Sequence, residues 1–153
     1  MIQNITSAIK TKLASSLTYA SDSGYEDANI DELVQSNKYP FFNVLAEGWE
    51  IDRPNGMSRT QVERWTVSIL IQFAVRALKV QEAKQGSSGR VGIYEMAEDI
   101  WTALKNETLS GEISGILPQS SVAIDVIESE GNNERYFIGA AEMRIKAFKD
   151  IGF

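Results

Sequence analysis

The chain contains no histidine and no cysteine among its 153 residues, and only three prolines. Without histidine there is no imidazole base, no histidine metal ligand and no histidine-based triad. Without cysteine there is no disulfide, no thiolate nucleophile and no thiolate zinc site. The enzyme chemistries that survive rest on carboxylates, lysine, tyrosine or serine. A basic excess is also missing: the formal net charge is −6, with 7 basic and 9 acidic residues in 1–76 and 8 and 12 in 77–153. A dedicated nucleic-acid binder normally carries a basic field, so that class is disfavoured.

Long apolar runs are missing as well. The two most apolar stretches, Val67–Ile71 and Phe73–Leu78, are broken by Ser68 and Arg76 and fall far short of a bilayer span. The N-terminus, Met1-Ile2-Gln3-Asn4-Ile5, lacks the charged and apolar regions of a signal peptide. These features predict a soluble chain with no membrane partner. What remains is an ordinary globular composition, 43% hydrophobic and 24% charged, in a chain long enough for one core. With no linker and no repeat, residues 1–153 are expected to form a single α+β domain.

Periodicity supplies the elements. Ile2, Ile5, Ile9, Leu13 and Leu17 recur at spacings of three and four, which predicts an amphipathic helix over 2–17. An acidic segment follows, Asp22 to Glu32, with five acids and no base, in and beyond which Ile30, Leu33 and Val34 support a short helical turn. From Phe41 the period becomes two. Phe42, Val44 and Ala46 share one parity, Trp49 and Ile51 the other, and Gly48 at the switch predicts a β-bulge. Pro54-Asn55-Gly56 reads as a turn into the clearest strand, where Trp65, Val67, Ile69, Ile71, Phe73 and Val75 fill one face. Lys79 to Gly89 reads as a polar, flexible loop, and Ile93, Met96, Ile100, Trp101 and Leu104 as the stripe of a second helix. Strands over 122–128 and 135–148 flank a turn at Glu130-Gly131-Asn132-Asn133. The predicted fold is α+β: an antiparallel sheet of two hairpins with two helices packed on one face.

A search for chemistry returns little. A calcium loop begun at Asp27 fails at its sixth and twelfth positions, which are Glu32 and Lys38 where glycine and a bidentate glutamate are needed. Gly86-Ser87-Ser88-Gly89-Arg90 lacks the spacing and the Lys-Ser/Thr pair of a phosphate-binding loop. Glu95, Glu98 and Asp99 read as an exposed acidic helix face, and Trp49, Trp65 and Trp101, all on core-facing parities, as packing. No cofactor, no metal site and no catalytic residue is expected, and the chain does not read as an enzyme. Arg64, Arg76 and Lys79, on or beyond the polar face of the strongest strand, join Lys84 and Arg90 in the loop as a set of bases. They form either a solvated face or a stripe of subunit or partner contacts that meets acids on a neighbour. The loop from Glu82 to Gly92 is expected to be mobile until it meets such a partner.

The layout resembles the phage tail-terminator family, the small ring proteins that cap the tail tube of long-tailed bacteriophages. The features that carry it are the helix written on Ile2, Ile5, Ile9 and Leu13, and Tyr39-Pro40-Phe41-Phe42 leading into a strand that ends Glu47-Gly48-Trp49-Glu50. The long amphipathic strand, the loop, the helix over 93–104 and a last strand opening on Arg135-Tyr136-Phe137 complete it. The resemblance implies a hexameric ring seated on the last ring of tail-tube protein. It would offer its other surface to a neck or head-completion protein and pass DNA without binding it specifically. The implied location is the virion, at the junction of tail and neck, after assembly in the host cytoplasm. A head-completion or connector protein is the nearest alternative. A small-molecule-binding regulatory α+β domain, and an enzyme using only carboxylates or lysine, are alternatives of other classes.

Overall fold

The computed structural model describes residues 2–36, 38–52, 62–117, 121–131 and 134–152. Helix α1 spans Ile2–Ser16 and buries Ile5, Ile9 and Leu13, one residue per turn, as its spacing dictates. A 3-10 turn at Thr18–Ala20 leads to a short strand β1, Gly24–Glu26, inside the acidic segment. Helix α2, Ile30–Gln35, follows at once. Asn29 caps it, its Oδ1 accepting from the Asp31 amide at 2.9 Å.

Two long strands come next, β2 at Phe41–Asp52 and β3 at Val62–Ala77. They pair antiparallel, with Phe42 opposite Phe73 and Val44 opposite Ile71. The register shifts between Ala46 and Gly48, so the expected bulge is present and moves Trp49 opposite Val67 and Ile51 opposite Trp65. The turn expected at Pro54-Asn55-Gly56 lies outside the described residues. Helix α3, Val80–Gln85, is followed by α4, Ile93–Leu104. Strands β4 (Gly115–Ile116), β5 (Ser121–Gly131) and β6 (Glu134–Gly152) close the chain.

Among the described residues the sheet has six strands and the chain four α-helices. Its order is β1-β2-β3-β6, with β4 and β5 both pairing with β6. The hairpins β2–β3 and β5–β6 are antiparallel, as is their junction β3–β6. The expected all-antiparallel sheet of two hairpins is nevertheless corrected, because β1 pairs parallel to β2 and the sheet is mixed. Only glycine fits where β1 begins: a Cβ on Gly24 would stand 2.3 Å from Cζ of Phe42. That close approach lets a three-residue segment lie against β2.

The helical layer holds a second correction. Helices α1 and α4 do share one face, where they bury Val67, Ile69, Ile71 and Phe73 of β3 and Ala141, Met143, Ile145 and Ala147 of β6. The opposite face is not bare. There Leu33 of α2 packs with Phe41, Ala74 and Ile138, and Ile30, Val34, Tyr39 and Tyr136 border them. The polar stretch read as a loop from Lys79 opens instead with α3, whose Ala83 is fully buried. Beyond it the chain turns tightly: the Ser87 and Arg90 amides each donate to the other residue's carbonyl at 3.0 Å. Gly92 closes the turn against α3, where a Cβ would meet the Gly86 nitrogen at 2.2 Å. Among the described residues no helix is long and apolar enough to cross a membrane.

Candidate functional site

The five bases singled out from sequence fall in two places. Arg64 lies near the start of β3, and the other four lie at or just beyond its end. Arg64 and Arg76 are twelve residues apart on one extended strand, roughly 40 Å. At the start of β3, the Arg64 guanidinium donates to both carboxylate oxygens of Asp150, at 2.8 and 3.1 Å, and stands 4.3 Å from the Phe148 ring centroid. This fork-on-fork pair lowers the Asp150 carboxyl below its ordinary range, mainly through the hydrogen bond to Arg64.

At the other end, Arg76 rests between two aromatic rings, 5.4 Å from Tyr39 and 5.1 Å from Tyr136. Lys79 precedes α3, Lys84 lies in its last turn, and Arg90 follows in the tight turn. None of Lys79, Lys84 and Arg90 forms an ion pair with another described residue. The structure therefore brings Arg76, Lys79, Lys84 and Arg90 to one end of the sheet and leaves Arg64 at the other. The acids of 22–32 line the β1 edge and α2; Glu26 accepts from Ser7 Oγ at 3.0 Å, and Asp22, Asp27, Asp31 and Glu32 are exposed.

A cavity of about 390 Å³ opens where β2 begins and β3 ends. Tyr19, Tyr39, Arg76, Arg90, Val75 and Val91 are among the residues that line it. Both phenols have their protons engaged. Tyr19 donates to Asp99 Oδ2 at 2.8 Å, and Tyr39 donates to the Val34 carbonyl at 2.6 Å. Burial first, then the Asp99 carboxylate, pushes the Tyr19 phenol well above its usual value. Burial first, then Tyr136, takes Tyr39 up to about 12, against the opposing pull of Arg76. Both stay protonated at neutral pH, so neither serves as a base.

Two apolar surfaces lie elsewhere. Trp49 and Ile51 sit on the core side of β2 but are 57% and 50% exposed, on the part of β2 that lies beyond the three residues paired with β1. Trp49 is thus not the packing residue its parity suggested. The second surface is a groove of about 380 Å³ between α4 and β5, lined by Tyr94, Ala97, Trp101, Val122, Ile124 and Met143, with Glu98 at its rim. Among the described residues no group of three or more acids converges as metal ligands would.

Sequence reading missed the aromatic rings around Arg76, which come from Tyr39 and Tyr136, far apart in the chain. It also missed Asn43, a fully buried amide that holds three hydrogen bonds. Its Nδ2 donates to the Ala28 carbonyl at 2.9 Å and to Gln72 Oε1 at 3.1 Å, and its Oδ1 accepts from the Ala28 amide at 3.1 Å. A lone amide within the apolar run from Phe41 to Ala46 was the available signal. No known family model and no curated protein matches this chain.

Proposed function

We propose that the chain is a structural subunit that closes into a homo-oligomeric ring, and that the ring is a phage tail terminator. It caps the tail tube, joins it to a neck or head-completion protein, and lets DNA pass without specific binding. The observation that supports this reading most is the pair of exposed apolar surfaces, Trp49 with Ile51 at one end of the sheet and the α4–β5 groove at the far edge. Two apolar surfaces at different places on one chain suit contacts in which each copy meets two neighbours through different faces, which is the geometry of a closed ring. Lys79 and Lys84, which form no ion pair with another described residue, are charged contacts such a ring or its tube and neck partners would use.

The test has two arms. Native mass spectrometry at low and high protein concentration is expected to give a closed oligomer, most simply a hexamer. In a phage whose terminator gene has been removed, supplying this chain is expected to restore joined virions. A monomer at every concentration, together with no incorporation into particles, overturns the reading.

A further inference from the structure

We propose that the cavity where β2 begins and β3 ends is a binding site for a small organic anion, an oxyanion carried on a compact apolar or planar body. The proposal does not rest on the ring reading. Three observations carry it. First, in a chain of net charge −6, the residues that line this cavity include two arginines and no acid. Secondly, Arg90 makes no ion pair or side-chain hydrogen bond with another described residue, and a tight turn fixes its backbone through the paired Ser87 and Arg90 amides. Arg76 is steadied between the Tyr39 and Tyr136 rings. Thirdly, the volume of about 390 Å³ lies in the range of small-ligand sites, and Tyr19, Tyr39, Val75 and Val91 give it apolar walls.

The chemistry follows from the donor set. A guanidinium presents a planar fork of N–H groups that matches a carboxylate or a phosphate, and it cannot be deprotonated in this setting. The two phenols direct their protons elsewhere, to Asp99 and to the Val34 carbonyl, so they add ring surface to the site rather than charge. An anion placed here meets two cations at the wall and packs its body against aromatic and branched side chains. A small inorganic ion gains only the first of these, and an uncharged aromatic only the second.

Four probes separate the parts of the proposal: benzoate and phenyl phosphate, which have both halves, and acetate and benzyl alcohol, which have one each. Each is titrated into the full chain at low ionic strength and followed by backbone amide shifts at Tyr39, Phe41 and Gly89–Val91 and by calorimetry. Saturable binding of benzoate, phenyl phosphate or both, tighter than either half-probe, is the expected result, and whichever binds more tightly identifies the oxyanion. Arg90→Gln is expected to weaken it by about tenfold or more, the loss of one hydrogen bond between charged groups, with no change in thermal stability. Lys146→Gln, an exposed base on β6 opposite Ser68, is the control and leaves binding as it was. The proposal is overturned by the absence of saturable shifts at those amides with every probe, by equal binding in Arg90→Gln, or by acetate binding as tightly as benzoate. It is also overturned if no probe binds and Arg90→Gln instead breaks up a self-associated species, because the cavity would then hold an acidic side chain of a second copy.

Discussion

One face of the sheet lies under the helices along β3 and outside their cover at the far end of β2, and the two stretches have different fates. From Phe73 back to Val67, every second residue is buried against α1 and α4. On the neighbouring strand the same face carries Trp49, opposite Val67, and Ile51, opposite Trp65, as apolar as before, yet both stand half or more in water. Alternation assigns a residue to a side of the sheet. Whether that side is covered depends on elements distant in sequence, and the cover over Val67 on β3 does not reach Trp49 beside it on β2. A buried row beneath a helix is a core. The same face outside that cover is a surface that a partner can use.

Ile69→Asp is expected to give the largest effect. Ile69 is fully buried, its partners across the strands are Ala46 and Ile145, and a carboxylate there finds no cation. The lost apolar burial and the unpaired charge together should cost about 4 kcal/mol or more, enough to prevent folding at ordinary temperatures. Urea unfolding followed by circular dichroism reads it. A cost below about 1 kcal/mol would mean that this row is not covered in solution.

Asn43→Ala comes next, at about 2–3 kcal/mol, because it strips three hydrogen bonds from a buried site and leaves both backbone groups of Ala28 without a partner. The loss should be local first. Amide exchange in α2 and β1 should speed up while β3 and β6 keep their protection. If exchange rises equally everywhere, Asn43 supports the whole sheet rather than the edge that carries the acidic segment.

The contrast between the two stretches also marks how much the sequence displayed. Helices α1 and α4, the long strands, the bulge at Gly48 and the burial of the odd row on β3 follow from local period, and a period is written in consecutive residues. The position of α2 on the other face is not, since its short apolar stripe of Ile30, Leu33 and Val34 fits either side until Phe41 and Ile138 are in place. Strand β1 has three residues and no period at all; its parallel pairing depends on one ring lying over Gly24. Helix α3 is hidden because one buried alanine anchors it among polar neighbours. The bases Arg76, Lys79, Lys84 and Arg90 were legible as a group by proximity in sequence, whereas the cavity takes Tyr19 and Tyr39 from segments whose approach no local pattern announces.

Trp49→Ser sharpens the comparison from the exposed side. In the isolated subunit it should cost no more than about 1 kcal/mol, since the ring is already largely in water and only its strand contacts are lost. On the ring reading the same change should shift the mass distribution sharply toward monomer, as expected of an aromatic anchor at a contact. Stability nearly kept and assembly lost is the combination a core residue cannot give. Full assembly with Trp49 removed would take this end of the sheet out of the interface.

The smallest effect belongs to the Arg64–Asp150 pair on the same projecting end. Its geometry is good, with two hydrogen bonds of 2.8 and 3.1 Å, but both side chains are about one-third exposed, at 36% and 35%. Solvent screens a pair like this, so a double-mutant cycle with Arg64→Gln and Asp150→Asn should give a coupling of about 0.5 kcal/mol near neutral pH. The pH dependence has a definite sign. Because Asp150 has a lower pKa folded than unfolded, its contribution is fully present above the unfolded value and is lost as the pH falls through the folded one. The coupling should therefore be lost as the pH falls below the ordinary carboxylate range and should fade in high salt. A coupling above about 2 kcal/mol, or one that survives acid, would show that this end is shielded from water as the helix-covered stretch is, and the difference between the two stretches would then lie in side-chain shape rather than in cover.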